Sequence, residues 1–246
     1  MFSFFKFIFW VQFLLLQDAI QGLWSNKFHC LEIEEKLVYC LGVQCINVSE
    51  PERNALEKNT KIVLINHRSY ADFFIDSYLC GGAANLGRYM VLLALPIAGL
   101  YGIWTGRVLF FNRGRTNRSA LTQKILNHLN KYQKPLIVYP EGRRYLGSEP
   151  IALRHGVLKT CFENKLQCQI LIGWGKEFIL NEKIKKIQSN QICTYAISHI
   201  IQPADFNTYE AFYAHITETW AQSWQKTQEQ WHKKDLLPQD ESIENS

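Results

Sequence analysis

The sequence predicts an α/β fold with a largely parallel central sheet flanked by helices, and two observations lead to it. Short apolar runs rich in β-branched residues recur along the chain, and stretches with helical periodicity lie between several of them. This alternation is typical of strands joined by crossover helices. The runs are VQCINV (43–48), KIVLI (61–65), RVLFF (107–111), PLIVY (135–139), CQILIG (168–173) and CTYAISHII (193–201), and the helical stretches cover 72–80, 116–133, 152–165 and 178–188.

The amino-terminal segment 1–42 is predicted to be a hydrophobic helical membrane anchor. Its apolar run from Phe2 to Leu16 contains Lys6 and Gln12, and it is shorter than the roughly 20 residues of a spanning helix. We therefore expect a helix that lies in the membrane interface, with a signal anchor or a tilted span as alternatives. A cleaved signal peptide is disfavoured because no small-x-small site follows the run. A second helix at 28–42 would complete a helical hairpin.

The rest of the chain divides into a catalytic domain at 43–234 and a disordered acidic tail at 235–246. The uncharged stretch 89–104 is predicted to be a buried core helix, and alternatively it lines an apolar route to the active site. The helix at 207–234 carries aromatic residues at helical spacing, which predicts that it is buried on the sheet. An aromatic belt at a lipid interface is the alternative.

Composition narrows the range of functions. The formal net charge is +5 and no long block of like charges occurs, so a nucleic-acid-binding arm is not expected, whereas an anionic substrate or a membrane surface fits. The seven cysteines form an odd set without a CxxC pair, which argues against a disulfide framework and a zinc site. We therefore expect no metal and a catalytic domain in a reducing compartment.

The main chemical signal is HRSYAD (67–72), which follows the second apolar run after Asn66. A structural interpretation takes Ser69 as a helix cap and Asp72 as its capping-box partner, but it leaves His67 unexplained. If a turn separates His67 from Asp72, the carboxylate can hold one imidazole nitrogen and leave the other as a proton acceptor. The sequence contains no G-x-S-x-G elbow and no P-loop. The nucleophile is therefore expected to be a substrate hydroxyl that His67 deprotonates.

Basic residues after two other apolar runs indicate an anionic substrate. They are Arg113, Arg115 and Arg118 after one run, and Arg143 and Arg144 after another. Arginine offers a planar donor fork that suits phosphate, and Gly142 permits a close approach of the backbone to a ligand. Because parallel strands end at one edge of a sheet, these residues and His67 are expected to face one crevice.

Three motifs, in order, resemble those of the glycerolipid acyltransferase family, whose best-known members are the 1-acylglycerol-3-phosphate (lysophosphatidate) acyltransferases. HRSYAD (67–72) matches the first motif, GRVLFFNR (106–113) is similar to the second, and YPEGRR (139–144) resembles the third. The resemblance runs from residue 43 to 206. It departs from the family pattern at Arg143, which replaces a threonine, and at Gly173 and Trp174, where the proline of a fourth motif is missing.

The resemblance implies a membrane-associated enzyme that moves a fatty acyl group from acyl-CoA to the free hydroxyl of a lysophospholipid, first of all 1-acylglycerol-3-phosphate. His67 would be the base and Asp72 would orient it. The implied substrate-binding residues are Arg113, Glu141, Gly142 and Arg144. Acyl-CoA would be a co-substrate, with no cofactor, no metal and no nucleic acid, and membrane lipids would be partners. The implied location is the endoplasmic reticulum or another intracellular membrane, with the catalytic domain facing the cytosol.

Several alternatives stay open from the sequence alone. The acceptor could be glycerol 3-phosphate, lysophosphatidylinositol or lysophosphatidylglycerol, or the enzyme could be a CoA-independent transacylase. A non-catalytic membrane lipid-binding module is an alternative from another class, and Arg143 is the only hint of it. A hydrolase that uses Ser69 is disfavoured because the strained elbow of such serines is missing.

Overall fold

The computed structural model describes residues 3–25, 27–49, 55–112, 117–181 and 184–233. The strands are β1 (Gln44–Asn47), β2 (Ile62–Ile65), β3 (Ala84–Arg88), β4 (Val108–Phe111), β5 (Leu136–Val138), β6 (Cys168–Trp174), β7 (Leu180–Asn181), β8 (Lys186–Ile187) and β9 (Ile192–Ile197). The helices are α1 (Phe4–Ser25), α2 (Cys30–Cys40), α3 (Asp72–Leu79), α4 (Met90–Ala94), α5 (Pro96–Trp104), α6 (Arg118–Tyr132), α7 (His155–Glu163), α8 (Lys176–Ile179) and α9 (Tyr209–His232), with a 3-10 turn at Pro203–Asp205.

A seven-stranded sheet forms the centre of the protein, in the order β1-β9-β6-β2-β5-β3-β4. Neighbouring strands are parallel except for the antiparallel pair β6 and β9. The strands β6, β2, β5, β3 and β4 therefore run in one direction, and their carboxyl ends share one edge. The α/β fold class with a largely parallel sheet is confirmed, and β7 and β8 form a separate antiparallel pair.

The central strands bury side chains on both faces of the sheet. Ile62 and Leu64 belong to a core that includes residues of α6, α7 and α9, whereas Val63 and Ile65 belong to a core on the opposite face. Successive side chains of a strand point to opposite faces, which explains this division. The helix α9 buries Phe212, Ile216, Trp220 and Trp224 at helical spacing, so the prediction of a helix buried on the sheet is confirmed.

All six predicted strands are present, but two parts of the prediction need correction. The strand β3 was missed because its sequence, ANLGR, contains a glycine and no β-branched residue; its extended conformation comes from pairing with β4 and β5. The helix predicted at 178–188 is wrong. Only Lys176–Ile179 is helical there, and the chain continues into β7 and β8.

The stretch 89–104 is not the buried core helix that we expected. It forms α4 and α5, which are separated at Leu95 because the residue before Pro96 avoids the helical conformation. Leu93 and Leu100 are 76% and 62% exposed. The pair α4 and α5 therefore presents apolar side chains outward, on the protein surface.

The amino-terminal helix α1 packs along α5. Asp18, buried in the carboxy-terminal half of α1, accepts hydrogen bonds from the backbone N–H of His29 and from the Tyr101 hydroxyl, which ties α1 to α5. The outer face of α1 is apolar and exposed, at Phe5, Phe9, Phe13, Leu16 and Ile20. By length and composition alone, α1 is the one helix among the described residues that could cross a membrane. The boundary at residue 42 stays a prediction, and the acidic tail lies outside the described residues.

Candidate active site

The candidate site lies at the carboxyl edge of β2, β5 and β6. His67 follows β2, residues 139–142 follow β5, and Lys176 follows β6. The strands β6, β2 and β5 are adjacent, so their ends bring these three segments together. Ligands of open parallel sheets bind at this kind of edge.

The predicted His67 and Asp72 pair is formed. Nδ1 of His67 lies 2.8 Å from Oδ2 of Asp72, which also accepts the backbone N–H groups of Arg68 (2.7 Å) and Ser69 (3.0 Å). Burial alone would raise the pKa of the Asp72 carboxyl, but the Lys176 ammonium, the His67 ring and the Ser69 amide outweigh it and hold this pKa below its ordinary value. An ionised Asp72 requires the proton on Nδ1, which leaves Nε2 of His67 as the acceptor.

Ser69 has a structural role. Its hydroxyl donates to the carbonyl of Leu180 (3.1 Å) and accepts the backbone N–H of Ala71 (2.8 Å), and the side chain is buried. The N-cap of α3 is Ala71, and no side chain caps this helix, so the prediction that Ser69 is the cap is wrong. The other half of the predicted capping box is present, because the Asp72 carboxylate accepts the backbone N–H of Ser69. The serine instead stabilises the turn that brings Asp72 back to His67. This geometry also disfavours Ser69 as a nucleophile.

Glu141 connects the third motif to the first. Its Oε2 accepts the backbone N–H of His67 (2.8 Å), and the His67 ring stacks on Tyr139 with the ring centroids 4.3 Å apart. The carboxyl group is buried, and Oε1 has no hydrogen-bond partner among the described residues. Burial raises the pKa of Glu141 to about 7, with a further increase from Asp72, although the His67 amide lowers it. Glu141 therefore holds the turn that begins at His67, and its Oε1 has no partner among the described residues.

The other predicted binding residues have different outcomes. The guanidinium carbon of Arg144 lies 4.3 Å from the centroid of the Tyr70 ring, beside the first motif. Gly142 has a φ of +68°, which favours glycine in this turn. Arg118 pairs with Glu163 on the protein surface (2.5 Å) and does not join the anion-binding group in which we expected it. Arg113 lies outside the described residues, as does Arg115.

The sequence reasoning missed a buried group of charges behind Asp72. Lys176 donates to both carboxylate oxygens of Asp76 (2.7 and 2.9 Å), and its Nζ lies 3.4 Å from Oδ1 of Asp72. Asp72 and Asp76 are one helical turn apart on α3, a spacing that could have indicated a shared partner. The sequence offers no comparable signal for Lys176.

Arg68 was also missed. Its guanidinium lies 3.7 Å from the centroid of the Trp174 ring and pairs with Glu177 (2.6 Å), so the buried arginine fixes the first motif against the end of β6. Among the described residues, no group of three or more His, Cys, Asp or Glu side chains is positioned to hold a metal ion.

Comparisons with known proteins show a similar fold and identify the family. The three-dimensional fold is similar to the crystal structure of the 1-acyl-sn-glycerophosphate (LPA) acyltransferase PlsC from Thermotoga maritima, with a TM-score of 0.66 and 15% sequence identity, over 91% of this chain and 88% of that one. A search of curated proteins gave no match. The model of the family described as Acyltransferase matches residues 45–171, which include His67, Asp72 and Glu141. Because this match covers more than half of the 246 residues, the chain belongs to the acyltransferase family.

Proposed function

We propose that this protein transfers a fatty acyl group from acyl-CoA to the free hydroxyl of a lysophospholipid, with 1-acylglycerol-3-phosphate as the acceptor and phosphatidic acid as the product. The observation that carries the proposal is the His67 ring held at Nδ1 by a buried, ionised Asp72 at the carboxyl edge of the sheet. Among the described residues, no hydrogen bond engages Nε2. This arrangement supports a general base that acts on an alcohol.

The reaction follows from this geometry. The acceptor hydroxyl gives its proton to Nε2 of His67 while its oxygen attacks the thioester carbonyl, and Asp72 stabilises the imidazolium that forms. The new C–O bond completes a tetrahedral intermediate, whose collapse breaks the C–S bond. The CoA thiolate leaves and takes up the proton from Nε2, which restores the neutral base. No covalent enzyme intermediate is needed.

Recognition of the acceptor is proposed for the third motif and for Arg113, which lies outside the described residues. The guanidinium group of Arg144 lies over the Tyr70 ring, close to His67 in the first motif, and its N–H donors suit a phosphate. The backbone at Gly142 and the available Oε1 of Glu141 suit the glycerol hydroxyls. The site has a cation for the phosphate and an acceptor for the hydroxyls, which favours a glycerophosphate headgroup.

A pocket at the carboxyl ends of β3 and β4 is our candidate for the acyl chain. It has a volume of about 290 Å³, and its lining includes Met90, Leu92, Leu93 and Phe111. It lies on the same sheet edge as His67, two to three strands away. Strands are spaced by about 4.8 Å, so this distance is within the length of a long acyl chain.

The outer faces of α1 and α5 are proposed to contact the membrane. α1 packs along α5 and is tied to it through Asp18, so a helix lying on the bilayer is more consistent with the fold than one crossing it. The exposed aromatic side chains of α1 support this orientation. All seven cysteines are free, which supports a catalytic domain facing the cytosol, on the endoplasmic reticulum or another intracellular membrane.

Acyl transfer by detergent-solubilised protein tests the proposal. Labelled oleoyl-CoA, and in parallel an acyl carrier protein thioester, is supplied with lysophosphatidate, glycerol 3-phosphate, lysophosphatidylinositol or lysophosphatidylglycerol. We expect transfer to lysophosphatidate to be fastest, and His67→Ala to abolish it. His199→Ala, which changes an exposed histidine after β9, is the matched control and should keep full activity.

The outcomes separate the alternatives. A faster reaction with another acceptor would show that lysophosphatidate is not the preferred one. Acyl transfer from a phospholipid without CoA would indicate a transacylase. A folded protein that binds lysolipid and transfers no acyl group from either donor would be a lipid-binding module. Free fatty acid release without an acceptor would indicate a hydrolase.

A further inference from the structure

The ammonium of Lys176 lies behind the catalytic pair in a position with no exposure to solvent. Its Nζ is 2.7 and 2.9 Å from the two oxygens of Asp76 and 3.4 Å from Oδ1 of Asp72, and both carboxylates are fully buried. It also donates to the carbonyl of Asn66 (3.2 Å), the residue before His67. One cation therefore contacts both the carboxylate and the backbone that position the base.

The local fold is arranged to bring this lysine into the interior. Gly175, with a φ of +94°, turns the chain at the end of β6 and directs Lys176 inward. A Cβ atom at Gly173 would lie 3.0 Å from Cε of Lys176, so the glycine leaves the space that the lysine stem occupies. Asn66 pairs with the backbone N–H and carbonyl of Gly173, at 2.8 Å in each case. The end of β6 and the catalytic turn are thereby joined.

The two carboxylates differ in how they are held. Asp72 accepts three hydrogen bonds through Oδ2, whereas Asp76 accepts from Lys176 and from the Tyr139 hydroxyl (3.1 Å). Burial raises the pKa of Asp76 to about 7, with a further increase from the Asp72 charge and a decrease from Lys176. Burial alone would lower the pKa of Lys176, but Asp72 and Asp76 raise it above its ordinary value, so this ammonium keeps its proton. When the two carboxyl groups of Asp72 and Asp76 together hold one proton, that proton therefore resides on Asp76.

We propose that Lys176 is a positioning residue that fixes Asp72 and the turn at Asn66, and that its positive charge sets the acidic limit of the pH range in which His67 acts as a base. The charge reaches the imidazole through Asp72. A positive charge on the far side of the carboxylate weakens the hold of His67 on a proton, so the base stays neutral at lower pH. This inference rests on the proposed function for its effect on turnover.

Other groups face the lysine or its partners. They are Cys80 at the end of α3, Cys193 on β9 with Cys45 beside it, Tyr139 and Glu141 after β5, and Arg68 paired with Glu177. Cys80 and Cys193 are buried, and burial raises the pKa of both thiols, so they remain neutral. Glu141 is the remaining titrating group, which requires a comparison of variants that leave it unchanged.

The test uses Lys176→Met, Asp76→Asn and the double variant in the full chain. NMR titration of His67, assigned with His67→Asn, measures its protonation without any turnover, and the pH profile of kcat/KM measures it through catalysis. We expect the titration midpoint and the acid limb of the profile to lie about one pH unit higher in the double variant than in Asp76→Asn, because these two variants differ only in the ammonium and residue 76 is neutral in both. The value of kcat at high pH should fall about tenfold in Lys176→Met because Asp72 loses the cation beside its Oδ1 and the Asn66 carbonyl loses its donor.

The controls separate charge from stability. Lys124→Met removes an exposed lysine of α6 and should change neither the titration nor the profile. If Lys176→Met fails to fold, the comparison of Asp76→Asn with the double variant isolates the ammonium, because neither leaves Asp76 charged. A His67 midpoint that is the same in folded variants with and without Lys176 overturns the inference. If the wild type shows no acyl transfer, the proposed function falls, while the NMR titration still decides the role of Lys176.

Discussion

Replacing Asp72 with asparagine should abolish most of the activity and leave the fold intact. The carboxylate oxygen Oδ2 accepts three hydrogen bonds, from Nδ1 of His67 and from two backbone N–H groups. If the asparagine amide nitrogen replaces this oxygen, it meets three donors. If it replaces Oδ1 instead, it lies near the Lys176 ammonium, which is 3.4 Å from that position. The first orientation forces the wrong tautomer on His67, and the second removes the charge that stabilises the imidazolium.

Both orientations weaken the base, so we expect kcat to fall by about 10²–10⁴-fold. At 1.36 kcal/mol per tenfold, this corresponds to about 3–5 kcal/mol of transition-state stabilisation. KM should change little, because the fully buried Asp72 has no exposed surface with which to bind a substrate.

Release of the CoA thiol, followed continuously with purified protein in detergent, measures kcat for Asp72→Asn, with Asp205→Asn as the control for an exposed aspartate. Circular dichroism and thermal unfolding show that the variant is folded. A folded Asp72→Asn enzyme that keeps more than a tenth of the wild-type kcat would refute the general-base reasoning.

Three further predictions concern other parts of the molecule. Glu141 binds a proton more tightly in the folded state, with a pKa of about 7, so it contributes stability that is present at low pH and lost as the pH rises through 7. The unfolding free energy of the wild type should therefore fall between pH 5 and pH 8, and in Glu141→Gln this fall should be smaller by up to about 3 kcal/mol. Denaturant titration at the two pH values measures it, and the same fall in both proteins would contradict the prediction. Trp220→Ala, on the buried face of α9, should lower the unfolding free energy by about 3–5 kcal/mol. A change below about 1 kcal/mol would mean that α9 is not packed as described. A double variant with Phe9→Glu and Phe13→Glu should keep its fold and sediment with anionic phospholipid vesicles at least tenfold less than the wild type. Tyr39→Glu, which changes an exposed residue of α2, should sediment like the wild type. An equal loss of vesicle binding in the double variant and in Tyr39→Glu would contradict the proposal that α1 contacts the membrane.

The structure changes how the third motif is understood. The sequence presents Glu141 as a ligand of the substrate, but Oε2 of its buried carboxyl group accepts the backbone N–H of His67, 74 residues away. Glu141 thus supports the backbone at His67 through one oxygen, and its other oxygen has no partner among the described residues. The binding roles of Glu141, Gly142 and Arg144 stay predictions, as does that of Arg113.

Six strands of the central sheet, helices such as α6, and the pairing of His67 with Asp72 could be predicted from the sequence alone. These features depend on local information: β-branched runs, helical periodicity and a five-residue spacing that a turn can close. The helix α6 is one example, since Asn117 caps it through the N–H of Ala120, three residues on.

The remaining features depend on contacts between distant parts of the chain. The strand β3 exists because β4 and β5 pair with it, and the segment 89–104 forms two surface helices, of which α5 packs beside α1, a distant part of the sequence. Lys176 meets Asp76 across 100 residues because β6 and β2 are neighbours in the sheet. Strand order is a property of the whole chain, so a contact made through it leaves no pattern in the local sequence.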